Sequence, residues 1–265
     1  MNAYELYRDA KLGEAIEAAL HQVKTAPTDI DARLLLCDLL CLDNQLARAD
    51  RQLDVMIQQD STLAAGLGIY RQLVRAELAR NEVFQSGRAP EVMDEMTEVL
   101  ALHLRASMAL REGQVSEAGE LLRDADERRQ PIDGTCDGQP FSDIRDLNDL
   151  TASFLEVLTT TGKYYWVPWE RVETLEFRPP KYLRDLLWRQ AAMTVRNGPE
   201  AVVYVPVLYA GSSRSDDVAL RLGRSTAWVE TPGGPTAGVG QRTLLVGDAD
   251  TPILSISSIS CGLNP

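Results

Sequence analysis

One stretch of this chain resembles another at a spacing of 34 residues, a period that limits the first half to helical hairpins stacked side by side. In K-L-G-E-A-I-E-A-A-L-H-Q-V-K-T-A-P, Ala15 stands twelve residues before Pro27. That is the separation between the small residue of the second helix and the closing proline of a tetratricopeptide unit. Thirty-four residues on lies Ala49, with Leu46 matching Leu12 and Leu53 in the place of Ala19. A third copy, carrying Gly113, Val115 and Ala118, falls one residue beyond a doubled period. The small residue is required because the two helices of a unit cross closely there, leaving room for little more than a methyl group. Between the copies the apolar pattern predicts a helix over 62–81 and a long one over 90–111. Pro90 would sit in the first turn of the latter, with Glu91, Asp94 and Glu95 at its positive end.

Composition then changes abruptly. Only two of the 13 prolines (Pro27 and Pro90), six of the 18 glycines and no tryptophan precede Gln130, whereas all four tryptophans follow it. The run P-I-D-G-T-C-D-G-Q-P has the turn chemistry of a linker. The expected organisation is therefore an irregular tetratricopeptide-like helical domain over 1–130, a linker over 131–140, and an aromatic-rich, mainly β domain over 141–265. In the second half the period moves toward two, as in K-Y-Y-W-V-P, R-V-E-T-L-E-F and A-V-V-Y-V-P-V-L-Y, short β-branched runs separated by turn signals. Only 141–150 and 181–187 read as helical. The fold class is α+β, its second part an antiparallel sheet forming a small barrel or sandwich.

The charge narrows the function. A net charge of −12 argues against nucleic acid and anionic lipid, both of which reward clustered Lys and Arg. The first fifteen residues lack a basic segment followed by an apolar one, and the apolar run 201–210 is short and broken by Pro206, so a cytoplasmic protein with no membrane contact is expected. Cys37, Cys41, Cys136 and Cys261 have no framework spacing and fit a reducing compartment.

Each chemical candidate has a plainer reading. Cys37 and Cys41 lie four apart on a predicted helix, but their apolar neighbours make them core residues rather than metal ligands. His21 and His103 have no nucleophile motif beside them. Asp143, Asp146 and Asp149 would share a helical face and read as solvated or capping. Gly238 to Gly240 precede a strand, which fits a bulge or hairpin better than a phosphate loop. No metal and no cofactor is called for, and no oligomeric state follows. The most distinctive feature is the set Tyr164, Tyr165, Trp166, Trp169, Trp188, Tyr209 and Trp228 with Arg171, Arg189 and Arg224 interleaved, since Tyr, Trp and Arg dominate protein interfaces. Strand alternation forbids all of these rings facing one side, so some belong to the core.

Six blocks in order carry a family resemblance: A-E-L-A-R-N-E-V-F-Q-S-G-R-A-P, F-S-D-I-R-D-L-N-D-L, G-K-Y-Y-W-V-P-W-E-R-V, D-L-L-W-R-Q-A, V-P-V-L-Y and L-G-R-S-T-A-W. Together they resemble the ImpE family, whose members are also called SciE-type or TagJ proteins, accessory components of bacterial type VI secretion systems. The matching positions include Trp166, Glu170, Asp185, Trp188, Arg189, Tyr209, Gly223 and Arg224. Leu147, Asn148, Gln190 and Ala227 depart from the family's usual residues. The resemblance implies a non-enzymatic adaptor that holds the N-terminal helix of the small contractile-sheath subunit and acts on sheath assembly or recycling by an AAA+ unfoldase. A concave repeat surface suits such a helix, and Trp169, Trp228, Leu35 and Tyr70 are the candidate anchors. The competing classes are an enzyme with a site around Asp185, Arg189 and Arg224, and a chaperone for a secreted effector.

Overall fold

The computed structural model describes residues 1–262, so 263–265, the end of the expected β domain, lie outside the described residues. Seven helices come first: α1 (Ala3–Arg8), α2 (Leu12–Thr25), α3 (Ile30–Leu42), α4 (Leu46–Gln59), α5 (Ala64–Ser86), α6 (Glu98–Arg111) and α7 (Val115–Arg128). Their starts follow local chemistry. Asn2 and Glu5 form a reciprocal capping box on α1, and the Asp29 carboxylate accepts the Ala32 N–H at 2.9 Å on α3.

The 34-residue period has a structural counterpart in three identical turns. Lys11 N–H donates to the Leu6 carbonyl at 2.9 Å, Gln45 to Leu40 at 2.8 Å and Gln114 to Ala109 at 2.9 Å. In each turn one residue is left-handed: Ala10 (φ 60°), Asn44 (φ 56°) and Gly113 (φ 77°). This six-to-one bond around a left-handed residue terminates one helix and aims the next back along it. Ala15, Ala49 and Ala118 then sit fully buried in the helices that follow.

Two helical expectations need correction. The helix expected over 62–81 runs on to Ser86, ended by left-handed Gly87 (φ 79°). The one expected from Pro90 starts only at Glu98, where the Thr97 hydroxyl accepts the Leu100 N–H. The intervening backbone is pulled into the sheet: Glu91 N–H donates to the Tyr164 carbonyl at 3.1 Å, and the Glu91 carbonyl accepts the Trp166 N–H at 3.0 Å. Glu91 is thus a strand-edge residue, and Asp94 pairs with Arg171 at 2.7 Å instead of facing a helix end.

The strands are β1 (Gly134–Cys136), β2 (Gln139–Phe141), β3 (Ile144–Asp146), β4 (Phe154–Thr159), β5 (Tyr164–Pro168), β6 (Val172–Phe177), β7 (Trp188–Val195), β8 (Glu200–Pro206), β9 (Thr226–Val229), β10 (Ala237–Gly240), β11 (Thr243–Val246), β12 (Ala249–Pro252) and β13 (Ser258–Cys261), with the single-turn α8 (Val218–Arg221) before β9. Eight of them form one antiparallel sheet in the order β2-β1-β13-β6-β7-β8-β4-β5. It ends on β2 and β5, so it is an open sheet rather than a closed barrel. Two smaller antiparallel sheets, β12-β11-β3 and β10-β9, complete the β part.

Three segments differ from the sequence reading here. The stretch 131–140 is not a free linker but the hairpin β1–β2, turned at Asp137 (φ 50°) and Gly138 (φ 78°) and paired with β13. The Asp137 carboxylate fastens it by accepting the N–H groups of Ser257 at 2.9 Å and Ser258 at 2.7 Å. The 141–150 stretch is β3 and a 3₁₀ turn over Asp149–Thr151, so Asp143, Asp146 and Asp149 share no helical face. Over 181–187 there is one 3₁₀ turn, Leu183–Leu186. Helix gives way to strand at the compositional change, yet one apolar cluster runs from Leu6 and Leu36 through Val83 to Phe154, Leu175 and Ile259. A smaller cluster joins α6 to α7.

Candidate interaction surface and the charge network beneath it

Where α5 meets the sheet, five charged side chains are buried together. Arg80 donates to both Glu156 oxygens, from Nε at 2.7 Å and Nη2 at 3.1 Å, and to Glu77 from Nη1 at 3.0 Å. Arg242 donates to Asp146 from Nη1 at 2.5 Å and to Glu156 from Nη2. Aromatic groups close the shell: Tyr164 donates to Glu156 at 2.5 Å, Trp166 to the Tyr164 hydroxyl at 2.7 Å, Trp188 to Glu77 at 2.9 Å and Tyr209 to Asp146 at 2.8 Å. Burial acts to raise the Glu156 carboxyl, but the two flanking guanidinium groups prevail and hold it down to about 2. Asp146 faces only one guanidinium, and there burial prevails and raises it. The network is a helix-to-sheet bolt: Arg80 and Glu77 come from α5, Glu156 from β4, and Arg242 from the turn before β11.

This accounts for several rings singled out in the sequence. Trp166 is enclosed, stacked on Phe154 at 4.2 Å. Trp188 and Tyr209 are interior and spend their polar atoms on the network. Trp169 is buried too, with no partner for its indole N–H, and Tyr70 is only 2% exposed, its hydroxyl given to Asp38 at 2.6 Å. Neither Trp169 nor Tyr70 projects as an anchor, because each ring fills the core. Leu35 is half-buried against that core, while Trp228 is 39% exposed on β9, edge-on to Tyr209. Gly238 is small for the same reason, since a Cβ there would lie 2.2 Å from the Tyr209 ring.

Asp185, Arg189 and Arg224 serve three separate backbone sites. Asp185 accepts the Lys181 and Tyr182 N–H groups at 2.8 and 2.9 Å, and Arg189 donates to the Ile253 carbonyl at 2.5 Å. Arg224 donates to the Tyr7 and Arg8 carbonyls at 2.7 and 2.8 Å, satisfying the end of α1, and Gly223 before it is left-handed (φ 63°). Glu170 is exposed. Cys37 and Cys41 are buried in α3, which pushes both thiols up. His103 is buried between the Leu150 carbonyl and the Ser153 hydroxyl, and desolvation lowers it to about 4, while His21 is exposed. Asp143 pairs with Arg129, and Asp149 accepts the Thr236 N–H at 2.7 Å.

Sequence reasoning missed Arg80, Glu156 and Arg242. The signal was present for one of them: Glu156 interrupts the apolar run F-L-E-V-L, a place where a carboxylate survives only if paired. One face of α5 is covered by the chain's own sheet, through Glu77 to Trp188 and Arg80 to Glu156. A cleft of about 640 Å³ opens between the N-terminal part of α5 and the 183–186 turn with β7 and β8.

These features can be set beside known proteins. The sequence pattern described as ImpE protein matches residues 138–260, from the β1–β2 turn to β13. The type VI secretion system accessory component TagJ of Pseudomonas aeruginosa is 31% identical over 259 residues, spanning 98% of this chain and 90% of that protein. The chain belongs to the ImpE/TagJ family. The crystal structure of protein VPA1032 from Vibrio parahaemolyticus superposes on this ImpE-family chain with a TM-score of 0.92 at 26% identity, covering 99% of this chain and 98% of that one. The fold is therefore shared across nearly the full length of both chains. Among the described residues no helix is long and apolar enough to cross a membrane.

Proposed function

We propose that this chain is a cytoplasmic, non-enzymatic adaptor of a type VI secretion system that binds the N-terminal helix of the small contractile-sheath subunit and thereby acts on sheath assembly or recycling. The observation that carries the reading is the full-length kinship with an accessory component of that system. Its non-enzymatic part draws support from the site itself: Asp185, Arg189 and Arg224, the residues a catalytic reading would use, are each engaged in holding backbone groups. An adaptor needs a rigid body that presents a surface, and the buried charge network makes the helices and the sheet one such body. The domain division keeps a part in the proposal, with the helices and the sheet as two walls of a binding cleft.

The test is co-purification of the whole chain with the sheath subunit in full-length form and with its N-terminal helix deleted. Retention of the first and loss of the second is expected. A full-length subunit that fails to bind at micromolar concentration refutes the sheath part of the proposal.

A further inference from the structure

The open cleft beside α5 combines cations with exposed apolar surface. In a chain of net charge −12, it is lined by Arg178, Lys181 and Arg184 against a single acid, Asp185, whose carboxylate is already engaged by two backbone N–H groups. The side chains of Arg178 and Lys181 make no ion pair or hydrogen bond with the described residues, whereas Arg71, Arg80, Arg129 and Arg242 are all paired with carboxylates. Apolar surface lies beside them: Tyr182 is 58% exposed and Ile69 40% exposed, and the Arg184 guanidinium lies 4.2 Å over the Tyr182 ring and 5.0 Å over Tyr70.

A second, independent observation comes from α5 itself. Gly66 is the third residue of that helix, in its exposed first turn. Its φ is not left-handed, and a Cβ built there would meet nothing within 4 Å. The chain's own packing leaves this side open, as it does at Gly68 on the same helix, and of the two only Gly66 lines the cleft. Gly66 lines the cleft, so the space it leaves open is space into which a partner backbone can come close.

We propose that this cleft is the docking groove for an acidic amphipathic helix of a protein partner, with its carboxylates taken by Arg178 and Lys181, its apolar side chains laid against Ile69 and Tyr182, and its backbone passing over Gly66. The inference rests on the adaptor reading and names the chemistry of the segment that an adaptor of this shape takes. Desolvated aromatic and aliphatic contacts supply the affinity, and the unpaired cations select the sign of the partner and speed its capture.

The experiment uses the whole chain and two synthetic helices of about 18 residues, five turns. Both carry leucine at the same positions, one with glutamate on its flanks and one with lysine, and binding is followed by calorimetry. The acidic helix binds and the basic one does not, and affinity falls as salt rises. Exchanging both cations, Arg178→Glu with Lys181→Glu, weakens the acidic helix by about tenfold or more. Gly66→Leu, which places a side chain in open space, abolishes binding while leaving the thermal midpoint within about 2 °C of wild type. Equal affinity for the two helices, no binding of the acidic one at about 100 µM, or full binding by either variant overturns the proposal. Self-association of the chain that disappears in the charge-reversed variant also overturns it, because the occupant is then a second copy. The two readings fail separately. A sheath-subunit helix that binds wild type and both variants alike removes the cleft and leaves the sheath adaptor, whereas an acidic helix that binds the cleft of a chain to which the full-length sheath subunit does not bind removes the sheath and leaves the cleft.

Discussion

Glu156→Gln is the perturbation that most directly tests how the two halves are joined. The carboxylate accepts hydrogen bonds from Arg80, Arg242 and Tyr164 and is fully buried. An amide of the same shape keeps one acceptor oxygen but removes the charge that balances two buried guanidinium groups. Breaking a buried pair from one side costs about 3–5 kcal/mol, because the surviving charge has no compensation. The titration leads to a similar figure: a carboxyl lowered from 4.5 to about 2 contributes about 3 kcal/mol when ionised. For a chain of this size the midpoint should fall by roughly 6–20 °C. The sign with pH follows from the lowered folded-state value: the contribution is complete above about 4.5 and is lost as pH falls toward about 2. The gap between wild type and variant should therefore close across that window. The assay is denaturant unfolding at several pH values, read by helical circular dichroism and by tryptophan fluorescence, whose four reporters all lie in the β half. Both signals should move together in wild type and variant, since the bolt spans α5, β4 and the turn before β11. A loss below about 1 kcal/mol at pH 7, or a gap that stays constant from pH 4.5 to 2, would refute the reasoning.

Limited proteolysis should spare 131–140, because the β1–β2 hairpin is paired with β13 and fastened by Asp137; mass spectrometry finding the first cut there would show that the two halves come apart. Ala10→Gly should stabilise by about 0.5 kcal/mol in chemical denaturation, since it relieves a left-handed alanine, and a loss would mean that the turn tolerates the methyl without strain. Trp169→Ala should cost about 3–5 kcal/mol and Trp228→Ala less than about 1 kcal/mol, as thermal melts would show; equal losses would contradict the burial difference between the two rings.

The positions of the helical hairpins were readable in sequence because they depend on contacts close along the chain. Ala15, Ala49 and Ala118 mark the crossing at nearly fixed separation, whereas the left-handed turn at Ala10 carries no mark in the sequence. Family membership was readable for a related reason, since six short blocks in order are local patterns. Segments that join distant elements were misread. Pro90 and Glu91 carry the marks of a helix start, but pairing with β5 outweighs them. The residues 131–140 have turn chemistry, and only the presence of β13 beside them makes that turn a hairpin in the sheet rather than a linker.

By itself, the sequence determined which half is helical, where the repeats begin and that the second half is built from short strands, because helix and strand periods are written residue by residue. Only the tertiary structure decided which rings are core and which are exposed: Trp169 and Trp228 are alike in sequence, and burial depends on what lies across the sheet. The same is true of the charge network. Arg80 and Glu156 are 76 residues apart, and Glu156 and Arg242 are 86 apart. No local pattern connects such residues, because their pairing is enforced by the cost of leaving a charge alone in the core, and that core exists only once the helices and the sheet have closed on each other.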